Sequence, residues 1–256
     1  MPLRRFPSQR TAVVTGGGSP RGIGRALAGR LAGHGWSVAV LDIDGNAAST
    51  TADQLARDGH QAVGYQVDIA NQQAVLEVAG RVEQDLPPVV GLANVAGVAS
   101  PVPFLELTEK EWDRVFDINA KGQFFVTQAF LRGMLDRGVG RIVTVSSTSA
   151  QRGGGTYSKV AYSAAKAAVL GMTRALAREV GRDGVTVNAV SPGPIDTDIM
   201  GGTLTEERRA ALIADLVVDR LGTVDDVSAV IEFLLGEDAG YITGATYNVN
   251  GGLIID

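Results

Sequence analysis

Tyr162 and Lys166 stand four residues apart in the stretch YSAAK, a spacing that places both side chains on one face of a helix. A tyrosine is a poor base at neutral pH, because its ordinary pKa is about 10. A neighbouring ammonium favours the phenolate, so such a pair can give or take the proton that accompanies hydride transfer. Ser147, at the end of a predicted strand, is positioned to hold the substrate oxygen. This group therefore suits proton transfer to or from a carbonyl or hydroxyl oxygen.

Tyr157 is a rival for the same role. The residue four positions on is Ala161, however, and no basic side chain lies there to tune the phenol. A YxxxK pattern alone arises often by chance on an exposed helix face. The interpretation therefore depends on what the surrounding elements bring to the same place.

A glycine-rich loop, TGGGSPRGIG at 15–24, joins an apolar run to a helical segment near the start of the chain. A strand, glycines and a helix in this order place unpaired N–H groups and the positive end of a helix dipole where a pyrophosphate can sit. Asp42 ends the next predicted strand, where an acid can accept hydrogen bonds from the ribose hydroxyls of a dinucleotide. Asp44 is an alternative for that role. Loop and acid together favour a dinucleotide cofactor.

The same region bears on the choice between NAD(H) and NADP(H). A carboxylate at Asp42 would repel the 2′-phosphate of NADP, whereas Arg21 could pair with it. We favour NAD(H) and keep NADP(H) as possible. If the loop bulges outward around Pro20, Arg21 is displaced from the adenosine end and Asp42 decides; if the loop lies flat, Arg21 permits NADP as well.

Short apolar runs rich in β-branched residues alternate with helical segments, the pattern of βαβ units and a parallel sheet. The predicted strands are 11–15, 37–42, 61–67, 89–95, 141–146, 185–191 and 245–250. The predicted helices are RGIGRALAGRLAGHG, AASTTADQLARDG, NQQAVLEVAGRVEQD, about 109–136 and about 157–182. We therefore predict one α/β domain over 1–256: a doubly wound Rossmann fold with a seven-stranded, mostly parallel sheet and helices on both faces.

The segment 194–218 departs from this alternation. It leaves a strand after SPG, carries glycines at 201 and 202, and then becomes helical in TEERRAALIADLV. An insertion at the carboxyl end of a strand is a natural lid over a site. Together with 98–105 and 148–157, it is expected to line a largely apolar substrate pocket.

The composition excludes several classes of function. A net charge of −5 lacks the basic footprint of a nucleic-acid binder, and no apolar run approaches the length of about 18 residues that spans a bilayer. The chain has no cysteine, which suits a cytoplasmic location. Its two histidines, His34 and His60, fall in predicted turns at the edge of the sheet opposite Ser147, so we expect neither a Ser-His-acid triad nor a metal site.

Eight motifs in sequence order resemble those of the short-chain dehydrogenase/reductase family, over essentially the whole chain. They are TG…GIG (15–24), Asp68-Ile69, NVAG (94–97), NAKG (119–122), VSS (145–147), YSAAK (162–166), SPGPIDT (191–197) and YITGATYNVNGG (241–252). Three features depart from the family pattern: Val95 in NVAG, a longer glycine-rich linker before Tyr162, and two additional residues between Gly16 and Gly22.

The resemblance implies a role for each matching residue. The implied catalytic residues are Asn119, Ser147, Tyr162 and Lys166, with Asn119 holding a water that passes protons from Lys166 to solvent. The implied cofactor residues are Gly16, Arg21, Gly22, Ile23, Asp42, Asp68, Ile69, Asn94, Ala96, Gly97, Tyr162, Lys166, Ile195 and Thr197. The resemblance also implies a homotetramer that buries the helices near 109–136 and 157–181.

These features together predict an oxidoreductase that interconverts a secondary alcohol and a ketone, with a small-molecule substrate and no nucleic-acid or membrane partner. A close alternative is a 3-oxoacyl-thioester reductase, which LAREV, RLGTVDDV and YITGATYNVNGG resemble; Arg137 and Arg178 would then help to dock an acidic carrier protein. A remote alternative is a dinucleotide-binding sensor without catalysis.

Overall fold

Seven strands alternate with helices along the chain. The computed structural model describes residues 5–155, 157–200, 202 and 204–255; Thr156 of the predicted pocket wall and Gly201 of the predicted lid lie outside this range. Within the described residues the strands are β1 (Thr11–Thr15), β2 (Ser37–Asp42), β3 (Ala62–Gln66), β4 (Val89–Asn94), β5 (Gly140–Val145), β6 (Val185–Pro192) and β7 (Thr246–Val249). All seven pair in parallel in the order β3-β2-β1-β4-β5-β6-β7.

The helices pack on both faces of this sheet. The described residues form α1 (Ile23–Gly33), α2 (Gly45–Arg57), α3 (Gln72–Asp85), α4 (Glu109–Phe116), α5 (Gly122–Arg137), α6 (Ser149–Arg152), α7 (Val160–Val180), α8 (Glu206–Ile213) and α9 (Val224–Leu235). One apolar cluster contains buried residues of α1 and α9, and a second contains those of α3 and α5. None of the helices in the described part of the chain is long and apolar enough to cross a membrane.

The strands form where the sequence places continuous apolar, β-branched runs. In β1, β4 and β5 every residue is buried, as expected for strands covered by helices on both faces. The predicted doubly wound α/β fold is confirmed, and the sheet is parallel throughout. Strand order reverses between β1 and β4, so the carboxyl ends of these two strands border the crevice where ligands bind in such folds.

Two helical regions differ from the prediction. The segment predicted as one helix over 109–136 consists of α4 and α5 joined by a π-helical turn at Asp117–Lys121. Helix α9 lies outside the predicted helices, although its start carries a capping box, in which Thr223 and Asp226 each accept a hydrogen bond from the other's backbone N–H. That box was the local signal available in the sequence.

Candidate active site

Two cavities meet above the carboxyl ends of the strands. The tyrosine cavity is lined by Ser147, Tyr162 and Lys166, and the glycine-loop cavity, of about 570 Å³, by Gly16, Asp42 and Asp68. They share the lining residues Ile23, Val95, Gly97, Ala99, Thr197 and Ile199. The two cavities therefore form one continuous cleft at the crevice that the strand order creates.

Tyr162 and Lys166 point into the tyrosine cavity from the first turns of α7. Their exposed fractions are 9% and 2%, so solvent hardly reaches either side chain. The Lys166 Nζ donates a hydrogen bond to the carbonyl of Val145 at 2.8 Å and lies 5.7 Å from the centre of the Tyr162 ring. The four-residue spacing has thus brought the phenol and the amine to one side of the helix, and the end of β5 holds the amine.

Burial changes the acidity of both groups. It raises the pKa of Tyr162, which a side-chain hydrogen bond with Ser147 partly opposes. It lowers the pKa of Lys166 from 10.5 to about 7. The sequence predicted that an ammonium would stabilise the phenolate; desolvation outweighs that effect, because removal from water disfavours the charged form of each group. A neutral phenol is therefore the resting state at neutral pH.

Ser147 lies two residues after the end of β5 and faces the same cavity. Its Oγ accepts a hydrogen bond from the N–H of Ser149 at 3.1 Å, at the beginning of α6. The Ser149 and Ser158 hydroxyls lie 2.8 Å apart and join the two ends of the glycine-rich linker. This linker, which is longer than the family pattern, is therefore closed by a hydrogen bond between its ends and forms one wall of the tyrosine cavity.

Asn119 lies in the π-helical turn and is fully buried. Its Nδ2 donates to the carbonyls of Val98 and Val115, at 2.9 and 3.0 Å, while its Oδ1 accepts from the Val98 N–H at 3.2 Å. A Cβ on Gly97 would lie 2.6 Å from that oxygen and 3.2 Å from the Lys166 Nζ. Asn119 lines neither cavity; it fixes the backbone beneath Gly97, next to the amine.

The glycine loop lies close against the start of α1 and the end of β4. Gly16 has a φ of +70°, and a Cβ there would lie 2.9 Å from the backbone of Ala96. Only glycine combines that backbone angle with that approach. Gly22 precedes α1, and no described side chain caps the first turn of this helix. Its N–H groups are therefore available to an anion such as a pyrophosphate.

Asp42 borders the loop at the end of β2. Its Oδ2 accepts from the N–H of Gly18 at 2.8 Å, and its Oδ1 from that of Asp44 at 3.1 Å. Asp44 itself caps α2, so Asp42 is the acid that faces the glycine-loop cavity. Gly17 and Gly18 are buried, while Pro20 is exposed in a turn closed by the Gly22 N–H and the Ser19 carbonyl. The outward bulge of the two alternatives is the one present.

The other predicted cofactor residues line the cleft, apart from Asn94 and Arg21. The glycine-loop cavity is lined by Gly16, Gly22, Ile23, Asp42, Asp68, Ile69, Ala96, Gly97 and Thr197, and the tyrosine cavity also takes in Ile195. Asn94 is absent from both linings: it is fully buried and donates through Nδ2 to the Thr127 hydroxyl at 2.9 Å. Its contact with a cofactor stays a prediction.

Arg21 also differs in position from the expectation. Its guanidinium lies beside Asp196 and Asp198 at the beginning of 194–218, with nearest N–O distances of 2.6 and 3.2 Å. Asp196 additionally pairs with Arg209 of α8 at 2.8 Å. Sequence reasoning did not identify these acids, because their partner lies far away along the chain and no local pattern marks the pairing.

The later part of 194–218 borders the tyrosine cavity through Ala211, Leu212 and Asp215. Asp215 pairs with Arg152 of α6 at 2.7 Å, and both residues line the cavity. The Arg208 guanidinium lies over the ring of Tyr157, 4.5 Å from its centre, and the Tyr157 hydroxyl has no hydrogen-bond partner among the described residues. Tyr157 is therefore a wall of the cavity, and the basic group beside its ring is the Arg208 guanidinium of the 194–218 segment instead of a buried lysine.

The two arginines that the carrier-protein alternative invokes lie away from the cleft within this chain, and their role in docking stays a prediction. Arg137 donates to the carbonyl of Val89 at the amino end of β4, opposite the cleft. Arg178 is in the last turn of α7, whose first turns form the cleft. His34 ends α1, and its exposed side chain pairs with Glu232; no group of acids and histidines in the described part of the chain could hold a metal ion.

These residues fit a nicotinamide dinucleotide. Glycine at position 16 lets the backbone approach closely, the uncapped start of α1 can bind phosphate, and Asp42 stands where a ribose hydroxyl would donate. The proton-transfer pair lies at the other end of the same cleft. Both halves that a dinucleotide-dependent proton and hydride transfer needs are thus present.

Comparison with known proteins agrees with this geometry. A family model described as enoyl-(acyl carrier protein) reductase matches residues 16–254. The chain is 40% identical to an uncharacterized short-chain type dehydrogenase/reductase of Sinorhizobium fredii, covering 96% of this chain and 98% of the relative. It is 35% identical to the 3-oxoacyl-[acyl-carrier-protein] reductase of Escherichia coli (94% and 96% covered) and 37% identical to the (3R)-3-hydroxyacyl-CoA dehydrogenase of Rattus norvegicus (95% and 96%). The chain therefore belongs to the short-chain dehydrogenase/reductase family, which uses a nicotinamide cofactor, and the two relatives above that are named for a substrate act on hydroxyl or keto groups.

Proposed function

We propose that the protein interconverts 3-oxoacyl and 3-hydroxyacyl thioesters and uses NAD(H) in preference to NADP(H). The observation that carries the proposal is the single cleft, with Tyr162, Ser147 and Lys166 at one end and the glycine loop and Asp42 at the other. The thioester class is supported by the two relatives above that are named for such substrates.

Tyr162 is the proton donor in the reducing direction. Burial keeps its phenol neutral near pH 7, and the Ser147 side chain forms a hydrogen bond with the phenol oxygen. The substrate keto oxygen accepts from both hydroxyls, which orients the carbonyl and delivers the proton; such positioned proton transfer contributes about 10²- to 10⁴-fold to a rate. A bound nicotinamide supplies the hydride in this direction and accepts it in reverse.

Lys166 supports the tyrosine and is set to change its protonation near neutrality, since its pKa is about 7. The Val145 carbonyl fixes its amine, and Asn119 fixes the neighbouring backbone through Val98. Lys166 thus returns a proton to Tyr162 after turnover, and it donates to the ribose of the nicotinamide. The role of Asn119 as holder of a water between Lys166 and solvent stays a prediction.

The preference for NAD(H) comes from Asp42. Its carboxylate already accepts two backbone N–H groups at the end of β2 and faces the glycine-loop cavity. A ribose hydroxyl can donate to this carboxylate, whereas a 2′-phosphate would meet a like charge, and none of the described residues that line the glycine-loop cavity is basic.

Residues 194–218 act as a lid over both ends of the cleft. Asp196 and Asp198 attach its first part to the glycine loop through Arg21, and Asp215 attaches its last part to α6 through Arg152. Arg152 lines the tyrosine cavity and is the cation best placed to meet a phosphate group of a long thioester substrate.

The test is a comparison of kcat/KM for four substrates, each with NADH and NADPH. Acetoacetyl-CoA with NADH is expected to be the best pair, ahead of ethyl acetoacetate, cyclohexanone and crotonyl-CoA. Higher rates on simple ketones would favour a general alcohol dehydrogenase, and reduction of crotonyl-CoA would favour an enoyl reductase. Cofactor binding without turnover on any substrate would instead favour a sensor and overturn the proposal.

We also propose a homotetramer in the cytoplasm. Trp112 on α4 and Phe124 on α5 are exposed large side chains on the helices that the family resemblance assigns to subunit contacts. An apolar residue left in water favours association with another copy of the same face. Light scattering on the purified protein measures the number of subunits directly, and a monomer would contradict this part of the proposal.

A further inference from the structure

We propose that two lid carboxylates, Asp196 and Asp198, set the dinucleotide preference by holding the Arg21 guanidinium away from the position of a 2′-phosphate. This inference rests on the dinucleotide site of the proposed function. It adds to the direct repulsion by Asp42 a second, indirect means of discrimination, located in the lid.

The guanidinium of Arg21 is shared between the two acids. Its Nη2 lies 2.6 Å from Oδ1 of Asp196 and its Nη1 3.2 Å from Oδ1 of Asp198. A guanidinium offers the same fork of N–H groups to a carboxylate as to a phosphate. With both terminal nitrogens facing acids, a 2′-phosphate would have to displace those acids before it could bind Arg21.

The acids are themselves held in place. Asp196 accepts from Nη2 of Arg209 at 2.8 Å, and its backbone N–H donates to the Gly222 carbonyl at 3.2 Å. Asp198 accepts from the hydroxyl of Ser19, in the glycine loop, at 3.4 Å. Both lid carboxylates are therefore held by partners other than Arg21: Asp196 by Arg209 and Asp198 by Ser19 of the glycine loop. They would stay in place if Arg21 turned towards the ribose.

The Arg21 guanidinium is turned towards Asp196 and Asp198, although its side chain is long enough to reach the side of the loop where Asp42 lies. Arg21 lies three residues beyond Gly18, whose N–H is bonded to Asp42, so the backbone separates their Cα atoms by at most about 11 Å. The intervening turn, closed between Gly22 and Ser19, shortens this path. An arginine side chain is long and flexible, and once released it can reach the adenosine side of the loop.

The ion pairs are strong enough to matter and weak enough to be reversed by mutation. The exposed fractions of the Arg21, Asp196 and Asp198 side chains are 40%, 27% and 48%, so solvent and salt screen their attraction. Neutralising both acids should shift the ratio of NADPH to NADH affinity about tenfold towards NADPH, which corresponds to about 1.4 kcal/mol.

The experiment measures dissociation constants of NADH and NADPH, from cofactor fluorescence, for the wild type and for Asp196→Asn/Asp198→Asn. The matched control is Glu206→Gln/Glu207→Gln, which removes two negative charges from the same lid at residues that do not pair with Arg21. The Arg21→Ala change is made in the wild type and in the Asp196→Asn/Asp198→Asn background. If the double variant is unfolded at the assay temperature, the more exposed Asp198→Asn alone replaces it.

We expect the NADPH-to-NADH affinity ratio to rise in Asp196→Asn/Asp198→Asn, to stay near the wild-type value in the control, and to fall back when Arg21 is removed. An unchanged ratio would overturn the inference. An equal rise in the control, or a rise that persists without Arg21, would also overturn it, because the effect would then be one of general charge.

The outcome is separable from that of the proposed function. A wild type that prefers NADPH would contradict the assignment to Asp42, while the change of ratio on mutation would still test the lid carboxylates. Absence of thioester turnover by the wild type would contradict the proposed substrate. The dissociation constants of NADH and NADPH would still test the role of the lid carboxylates.

Discussion

The two ends of the cleft are held by different kinds of interaction. At the tyrosine end, Lys166 and Asn119 are buried and their side chains bond backbone groups of neighbouring elements. At the lid end, Arg21, Asp196 and Asp198 meet through partly exposed ion pairs. Buried bonds to backbone fix one geometry, whereas exposed ion pairs are individually weak and are screened by salt. The residues proposed for proton transfer thus lie where buried bonds fix the geometry. The residues that hold the lid lie where exposed ion pairs can open for ligand exchange.

The rigid end also carries a cost in stability. A buried amine that donates to one carbonyl makes the protein less stable than an apolar side chain of similar size would, as the lowered pKa of Lys166 indicates. The lid pairs carry little such cost, because water solvates them when they open. Variants that remove function at the tyrosine end should therefore affect stability in either direction, while variants of the lid should scarcely affect it.

The largest expected effect is on turnover in Tyr162→Phe. Loss of the phenolic proton should lower kcat about 10³-fold, while NADH affinity stays essentially unchanged. Steady-state rates with acetoacetyl-CoA and a binding titration with NADH measure the two quantities. Tyr157→Phe is the matched control, because it removes the other tyrosine hydroxyl of the same cavity, and it should lower kcat far less. Equal losses in both variants would contradict the assignment of the proton donor.

Lys166→Met should separate activity from stability. We expect kcat to fall about 10²-fold and the free energy of unfolding at pH 7 to rise by about 2 kcal/mol. The folded-state pKa of about 7 lies below the ordinary 10.5, so between these pH values the unfolded chain binds the proton more tightly. The cost of the amine is therefore full below pH 7 and disappears as the pH rises towards 10.5.

Urea unfolding of the wild type and Lys166→Met at pH 7 and pH 9.5 measures this difference. The stabilisation by the methionine should be smaller at the higher pH. Val145 retains a partner in the variant, since its carbonyl also accepts from Nε2 of Gln123 at 3.3 Å. A variant less stable than the wild type at both pH values would contradict the idea that burial of the amine is costly.

Asn119→Ala should weaken both stability and activity. It leaves the N–H and carbonyl of Val98 and the carbonyl of Val115 without their side-chain partners, a loss of about 2–3 kcal/mol in the free energy of unfolding. Displacement of the backbone under Gly97 should lower kcat about tenfold. Asn119→Asp keeps the acceptor for the Val98 N–H but places a buried carboxylate against the Val98 and Val115 carbonyls, so it should be no more stable than Asn119→Ala. Equal stability of Asn119→Ala and the wild type would contradict the buried network.

The smallest effect is expected from Asp215→Asn, which breaks the pair with Arg152 at the substrate side of the lid. The free energy of unfolding should change by less than about 1 kcal/mol, and kcat/KM for acetoacetyl-CoA by about twofold. Both changes should shrink in 0.5 M salt. A salt-independent loss as large as that of Asn119→Ala would contradict the distinction between the buried hydrogen bonds and the exposed ion pairs of the lid.

The tyrosine end was largely predictable because its signals are local. The apolar β-branched strand β5 places Ser147, and the four-residue spacing on α7 places Tyr162 beside Lys166. The other strands of the sheet were predicted from similar apolar, β-branched runs in the sequence. The burial of Asn94 was not predictable in this way, because the sequence does not say which residues of a buried strand line the cleft.

The lid end was not predictable in the same way. The pair of Arg21 with Asp196 joins residues 175 positions apart, and it depends on how the loop bulges around Pro20. The pKa directions at Tyr162 and Lys166 were missed for a related reason, because they depend on burial by elements that come together only in the fold. Local spacing predicts which groups meet; it does not predict how much water remains around them.

The most direct test of the account uses NADH that carries deuterium at its reducing carbon, with acetoacetyl-CoA as substrate. The product should be 3-hydroxybutyryl-CoA with the deuterium on carbon 3 and a solvent proton on the new hydroxyl, and Tyr162→Phe should form it about 10³-fold more slowly. Absence of deuterium from carbon 3, or equal rates in the wild type and Tyr162→Phe, would contradict the reaction assigned to this cleft.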